Sequence, residues 1–229
     1  MDNGIIPERY LRNRRAISIS EQIKLLQSRV GMVGLGGLGG SLLDQLLRLG
    51  IGTLRAADGD TFESSNLNRQ ALATVETLGV SKAEAAKLRA QEINPSVAME
   101  TIPTFLTASS LPSFMKGCTL AVDALGGLVF RPQVTQAAAN EGIPLVTGAL
   151  AGWVGYVGVV QPGGVSPSEV MGTNESADKN LGCPAPAVNF VASLMAAEIV
   201  RILSEKSSPL EGKMLIIDMK TLTFEQVSL

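Results

Sequence analysis

The chain has 229 residues, a formal net charge of -2 and no histidine, with 45% hydrophobic and 17% charged residues. That balance is ordinary for a folded globular protein and excludes a disordered chain, while the near-neutral charge provides no broad basic footprint for gripping nucleic acid. The missing imidazole excludes a histidine-based catalytic triad and any histidine-ligated metal, so the chemistry must run on Asp, Glu, Arg, Lys, Cys, backbone amides or a bound ion.

The N-terminus, Met1-Asp2-Asn3-Gly4, lacks the basic-then-apolar pattern of an export signal, and no apolar stretch approaches the ~20 residues needed to span a bilayer. No membrane association and a cytoplasmic location are expected. An N-terminal helical segment over 1–28 includes helical spacing from Glu21 to Ser28. The apolar run Val30 to Val33 breaks at Gly34, as a buried strand entering a tight turn does. Leucines 42, 43, 46, 47 and 49 then recur at helical intervals up to a stop at Gly50.

A second strand is predicted from Gly52 to Ala57, ending at Asp58, with a polar loop from Gly59 to Gln70. Ser81 is placed to cap a helix from Lys82 to Ile93, which Asn94-Pro95 ends. Strands are expected at Val97 to Ile102, Thr119 to Val122 and Ile143 to Thr147, with helices near Ser109 to Lys116 and Val129 to Glu141 between them. Trp153 to Gln161 reads as a strand and 162–181 as a crossover loop rich in Gly, Ser, Pro and Asn. A helix from Ala187 to Leu203 and strands Met214 to Met219 and Thr223 to Val227 complete the pattern. The alternation predicts one α/β domain over 1–229: a Rossmann-like, mainly parallel sheet with helices on both faces and a C-terminal antiparallel extension.

The run Gly34-Leu35-Gly36-Gly37-Leu38-Gly39-Gly40 lies between a predicted strand and a predicted helix, with Asp58 about 20 residues beyond it, the context that makes such a run a phosphate-binding turn. Glycines let the backbone approach a phosphate, the amides at the helix N-terminus donate to it, and a carboxylate at Asp58 is placed for ribose hydroxyls. The alternative is that Gly36 and Gly39 only permit close helix-to-sheet packing. The turn does not distinguish a dinucleotide from ATP.

The segment Ser65-Asn66-Leu67-Asn68-Arg69-Gln70 carries a more specific signal. With the glycine turn, Gly79-Val80-Ser81-Lys82, Ile93-Asn94-Pro95 and Arg9-Tyr10-Leu11-Arg12 in the same order, the chain resembles the ThiF/MoeB/HesA family of ubiquitin-activating-type enzymes. The resemblance implies binding of ATP with Mg²⁺ and adenylation of the C-terminal glycine of a small ubiquitin-fold carrier ending in Gly-Gly, often a sulfur carrier. It implies nucleotide contacts from Gly34, Gly36, Gly37, Leu38, Gly39, Asp58, Asp60, Asn66 and Gln70. Arg69 and Lys82 would neutralise the phosphates, and Arg12 would reach the triphosphate of a neighbouring subunit in a homodimer.

Family members usually carry Asp-x-x-Asp-Asn after the fourth strand, whose second Asp helps hold Mg²⁺; here the stretch is Asp123-Ala124-Leu125-Gly126-Gly127, with Arg131 matching a following family arginine. Ion binding would pass to Asp123 or Asp60, or adenylation would be weak or absent. The paired Cys-x-x-Cys motifs that hold zinc in many relatives are missing, so no zinc site is expected. Cys118 reads as a small buried hydrophobe, and Cys183, just past the crossover loop, as either structural or a reactive thiol. Two readings compete with carrier adenylation: adenylation of a carboxylate on a peptide or tRNA-linked amino acid, and a degenerate module that binds ATP or a carrier without turnover. A nicotinamide-dependent oxidoreductase is disfavoured because proton-transfer groups are scarce.

Overall fold

In a computed structural model describing residues 6–171, 178–205 and 207–229, helix α1 (Ile19–Gln27) starts at a reciprocal cap. The Ser18 hydroxyl accepts from Glu21 N–H and the Glu21 carboxylate from Ser18 N–H, satisfying amides that a helix start leaves free. Strand β1 (Arg29–Val33) runs into the glycine turn, helix α2 (Gly37–Leu49) stops at left-handed Gly50, and β2 (Thr53–Ala57) follows. Beyond the polar loop come α3 (Lys82–Ile93), β3 (Ala98–Ile102), the short α4 (Leu111–Met115), β4 (Leu120–Asp123), α5 (Arg131–Glu141), β5 (Leu145–Ala151) and β6 (Val154–Val160). The short α6 (Pro167–Met171) and α7 (Asp178–Leu181), the long α8 (Ala185–Glu205), β7 (Lys213–Asp218) and β8 (Thr223–Ser228) complete the chain.

The eight strands form one sheet in the order β3-β2-β1-β4-β5-β6-β7-β8. Pairings from β3 to β5 are parallel, and those from β5 to β8 antiparallel, which gives the expected α/β architecture with its antiparallel extension. Side-chain parity sorts the two faces. Val30 and Met32 of β1, Leu120 and Val122 of β4 and Val146 of β5 join a large core with α1, α2, α3 and α8. Val33, Ala121 and Leu145 point the other way, into a smaller core with α4 and α5. Cys118 is buried in this second core, where desolvation raises its thiol pKa, in keeping with a packing role.

Three expectations need correction. The segment 162–181 is not wholly loop, since α6 and α7 lie within it; residues 172–177 fall outside the described residues. Ser81 occupies the N-cap position of α3, but its hydroxyl makes no capping bond and is buried without a partner; the first helical amide, of Lys82, donates instead to the Asp60 carbonyl at 3.0 Å. Finally, α8 has 21 residues and contains an 18-residue stretch of mean hydropathy 1.6, enough by length and composition to cross a membrane. Its Val188, Val191, Met195 and Ile199 form a helical stripe buried against α2, β5 and β6, which accounts for that apolarity as core packing.

One contact pins the N-terminal segment. Tyr10 is 3% exposed, and its hydroxyl accepts from Asn94 Nδ2 at 2.8 Å, while Asn94 Nδ2 also donates to the Leu47 carbonyl at 3.0 Å. Arg9 Nη1 donates to Asn94 Oδ1. The Tyr10 ring fills the space beside Gly50, where an added Cβ would fall 2.4 Å from the hydroxyl. Sequence motifs 84 residues apart are thus a single joint between the N-terminal segment and the C-terminal ends of α2 and α3. Tyr10→Phe is expected to cost about 1 kcal/mol, and Asn94→Ala about 2 kcal/mol because it strands more buried partners, read as a lowered urea midpoint at unchanged slope.

Candidate active site

The registers place Val33 beside Ala57 on one side and Asp123 on the other, so β1, β2 and β4 end at one level. The strand order reverses between β1 and β4, the place where an open α/β sheet leaves a crevice beyond its carboxyl ends. A cavity of about 370 Å³ opens there. Gly34 enters the turn at φ +97°, and an added Cβ at Gly39 would fall 2.0 Å from the Gly34 carbonyl oxygen, so Gly39 serves the close packing of helix on turn. Gly36, Gly37 and Leu38 line the cavity, and a Cβ at Gly36 would meet only the Gln70 carboxamide, 3.7 Å away. Close packing thus accounts for Gly39, whereas Gly36 stands open to the cavity.

Asp58 closes the turn from the side: Oδ2 accepts from Leu35 N–H at 2.7 Å and Oδ1 from Asp60 N–H at 2.9 Å. The polar loop is held in register by buried Phe62, which exchanges backbone bonds with Val80 and Gly79. It folds Asn66, Arg69 and Gln70 onto the cavity wall, where α3 adds Lys82. The Lys82 side chain is 8% exposed and its ammonium pairs with Asp60 Oδ2 at 3.0 Å, 6.0 Å from the Phe62 ring centroid. Arg69 Nη1 donates to the Ser65 carbonyl and to Asn68 Oδ1 at 3.0 and 2.9 Å. Asn66 Oδ1 accepts from Glu63 N–H at 3.1 Å, and Gln70 keeps its carboxamide oxygen buried without a partner. The site therefore offers two cationic side chains, the free amides of a helix N-terminus and one orphaned acceptor.

The ThiF family model matches residues 10–229, nearly the whole chain. The chain belongs to the ThiF family. It is 33% identical over 227 residues to the sulfur carrier protein adenylyltransferase of Thermus thermophilus, covering 90% of this chain and 80% of that protein. It is also 30% identical over 220 residues to the molybdopterin-synthase adenylyltransferase of Salmonella typhimurium, covering 94% of this chain and 88% of that one. Among solved structures, PaaA superposes with a TM-score of 0.83 at 25% identity, covering all of this chain (100%) and 77% of its own.

Within this ThiF-family site, Asp123 departs from the expected role as a metal ligand. It is 1% exposed and lies below the cavity, not on its wall. Oδ2 accepts from Arg131 Nη1 at 2.8 Å and from the Thr147 hydroxyl at 2.9 Å, and Oδ1 from Leu125 N–H at 3.1 Å. Arg131, also 1% exposed, donates further to the carbonyls of Leu125, Gly127 and Gly148. Tyr156 closes the group, 3.5 Å from the guanidinium, and burial raises its phenol pKa. Asp123 is thus consumed in holding the loop 124–127, while Gly126 on that loop faces the cavity with nothing within 4 Å of an added Cβ.

Arg12 is exposed on the N-terminal segment and does not line the cavity of its own chain. Cys183 does line it, and the Gly182 carbonyl accepts from Gly152 N–H at 2.7 Å, which ties the α7–α8 junction to the end of β5. Sequence reasoning missed Phe105, Leu150 and Val188 on the wall. The rule that ligands contact loops beyond parallel strand ends would have pointed to Phe105 after β3 and Leu150 at the end of β5; nothing local marks Val188. Asp123→Ala is expected to cost about 3–5 kcal/mol by leaving the Arg131 charge buried and unpaired, measured by denaturant unfolding of the nucleotide-free protein. A residue that only held a metal would leave that midpoint unmoved.

Proposed function

We propose that this ThiF-family protein is an adenylyltransferase that uses ATP to activate the C-terminal glycine of a small ubiquitin-fold sulfur carrier ending in Gly-Gly. The observation that carries the reading is the convergence of Lys82, Arg69 and the N-terminus of α2 on one cavity. The names of its relatives supply the substrate class, since the Thermus protein acts on a sulfur carrier.

In the proposed reaction an oxygen of the glycine carboxylate attacks the α-phosphorus of ATP, the bond from that phosphorus to the bridging oxygen breaks, and pyrophosphate leaves with its electrons. A carboxylate is already ionised near neutral pH, so the missing histidine costs nothing. Lys82 and Arg69 exchange their present oxygen partners for phosphate oxygens, and the amides of Gly37 and Leu38 face the growing charge. Gln70, with its carboxamide nitrogen nearest to Gly36, lines the wall against which the nucleotide rests. Leu150, Val188 and Cys183 form the apolar side against which a glycine tail, lacking side chains, packs.

The resemblance also implies Mg²⁺. Asp58 and Asp123 spend both oxygens on hydrogen bonds, whereas Asp60 lines the cavity half-exposed and would be the carboxylate to hold the ion once Lys82 turns to the phosphates. The ion would supply further charge neutralisation on the triphosphate.

ATP–pyrophosphate exchange with a panel of carriers ending in Gly-Gly tests the assignment. Arg69→Ala and Lys82→Ala are each expected to lower exchange about a hundredfold, the scale of losing one donor to developing charge; unchanged exchange would sink the reading. Arg12, outside its own cavity, supports a homodimer in which it serves the partner's triphosphate. Equal mixing of inactive Arg12→Ala and Arg69→Ala chains, with subunits exchanged, is then expected to restore roughly a quarter of the wild-type activity, because half the dimers are mixed and each carries one intact site. A mixture as inactive as its parents would place Arg12 elsewhere.

A further inference from the structure

On the ATP reading above, we infer that Phe105 is the platform on which the base of the nucleotide stacks, so that ATP lies along the crevice with its base beyond β3 and its triphosphate at the turn beyond β1. Phe105 is 70% exposed, and it is the one aromatic side chain among the described residues that line the cavity. A large ring left open to water beside a cavity is surface that a flat ligand covers favourably. The ring is nevertheless held in place. The Ile102 carbonyl at the end of β3 accepts from Asp58 N–H at 3.2 Å, Leu106 packs against the smaller core, and Thr107 N–H donates to the Ser110 hydroxyl at 2.8 Å just before α4. Phe105 itself lies against Gly59, where an added Cβ would fall 2.6 Å from both its backbone nitrogen and its Cδ2, so a side chain at position 59 would displace it.

The strand order identifies the occupant. Phe105 follows β3, Asp58 follows β2, the glycine turn follows β1, the loop 124–127 follows β4 and Leu150 lies near the end of β5, in the sequence in which those strands sit side by side. The ends of β3 and β5 are four strand spacings of about 4.8 Å apart, roughly 19 Å. A nucleotide with its phosphates on the α2 amides and its ribose at Asp58, whose carboxylate oxygens each keep a further lone pair, carries its base on past Asp58 towards β3. Phe105 is the ring waiting there. A tail of glycines has no side chain with which to cover it, and the apolar residues assigned to that tail lie towards β5 and α8. Stacking uses the flat face of a base and not its hydrogen-bonding edge, so Phe105 adds affinity for the base without reading its identity.

Equilibrium titration of the full-length protein with ATP and with inorganic tripolyphosphate, in the absence of carrier, separates the two ends of the nucleotide. Phe105→Ala is expected to bind ATP about tenfold more weakly than wild type and tripolyphosphate within about twofold of it, with an unchanged unfolding midpoint because the side chain is largely exposed. Phe105→Trp is expected to bind ATP at least as tightly as wild type, and its emission to be quenched by ATP beyond any change shown by the single native tryptophan, Trp153. Where tripolyphosphate binds too weakly to titrate, the quenching decides. A loss of ATP affinity below about threefold in Phe105→Ala, an equal loss for ATP and tripolyphosphate, or an ATP-bound Phe105→Trp protein without added quenching overturns the inference. Wild type that binds tripolyphosphate but not ATP, or neither, brings down the ATP reading itself.

Discussion

Arg131 carries a full charge into a position 1% exposed, and a charge persists there only when its donors meet acceptors and a counter-charge. The acceptors are the carboxylate at the end of β4, the carbonyls of the following loop, the Thr147 hydroxyl and Gly148 carbonyl in β5 and the Tyr156 hydroxyl in β6. Meeting that demand fixes the loop 124–127 against two parallel strands, and the loop is one wall of the cavity. The alternative, a solvated loop with a free aspartate, would leave a guanidinium stranded in the core. The geometry of the nucleotide site is in this sense a by-product of satisfying one buried side chain.

The second ion pair of the site obeys different physics. Lys82 is nearly as buried as Arg131, but its partner Asp60 is 54% exposed, so one member of the pair can return to water at little cost. Breaking Arg131 from Asp123 leaves two desolvated charges, whereas breaking Lys82 from Asp60 strands only the ammonium. An arriving phosphate oxygen removes that single penalty. The closed pair serves the architecture, and the half-open pair is the one free to exchange partners.

Features legible in the sequence were those written in local periodicity. The apolar run of β1 marked a buried strand, and the glycine turn announced itself by its position between strand and helix. The surroundings of Asp123 were not legible, because Arg131, Thr147 and Leu125 reach it through contacts set by packing and not by spacing. Ser81 sat at the right position to cap α3, yet the backbone of Asp60 supplied the acceptor first, through a loop whose path Phe62 dictates. Composition called 162–181 a loop, although Pro167 starts a short helix there and a proline tolerates the first helical position well. Phe105, Leu150 and Val188 reach the cavity from three separate elements, so no window of sequence contains the reason they meet.

Joining a carboxylate to a triphosphate is chiefly a problem of like charges. At about 4 Å two unit charges repel by about 1 kcal/mol in water and by about 4 kcal/mol at the effective dielectric of a protein cleft, so closing the site makes the difficulty worse unless the wall is positive. A histidine base would not help, because the attacking group needs no proton removed. Cations and oriented amides do help, and they are what Lys82, Arg69 and α2 bring. The positive wall and the absence of histidine are therefore two sides of one electrostatic arrangement, in which both reactants are anions.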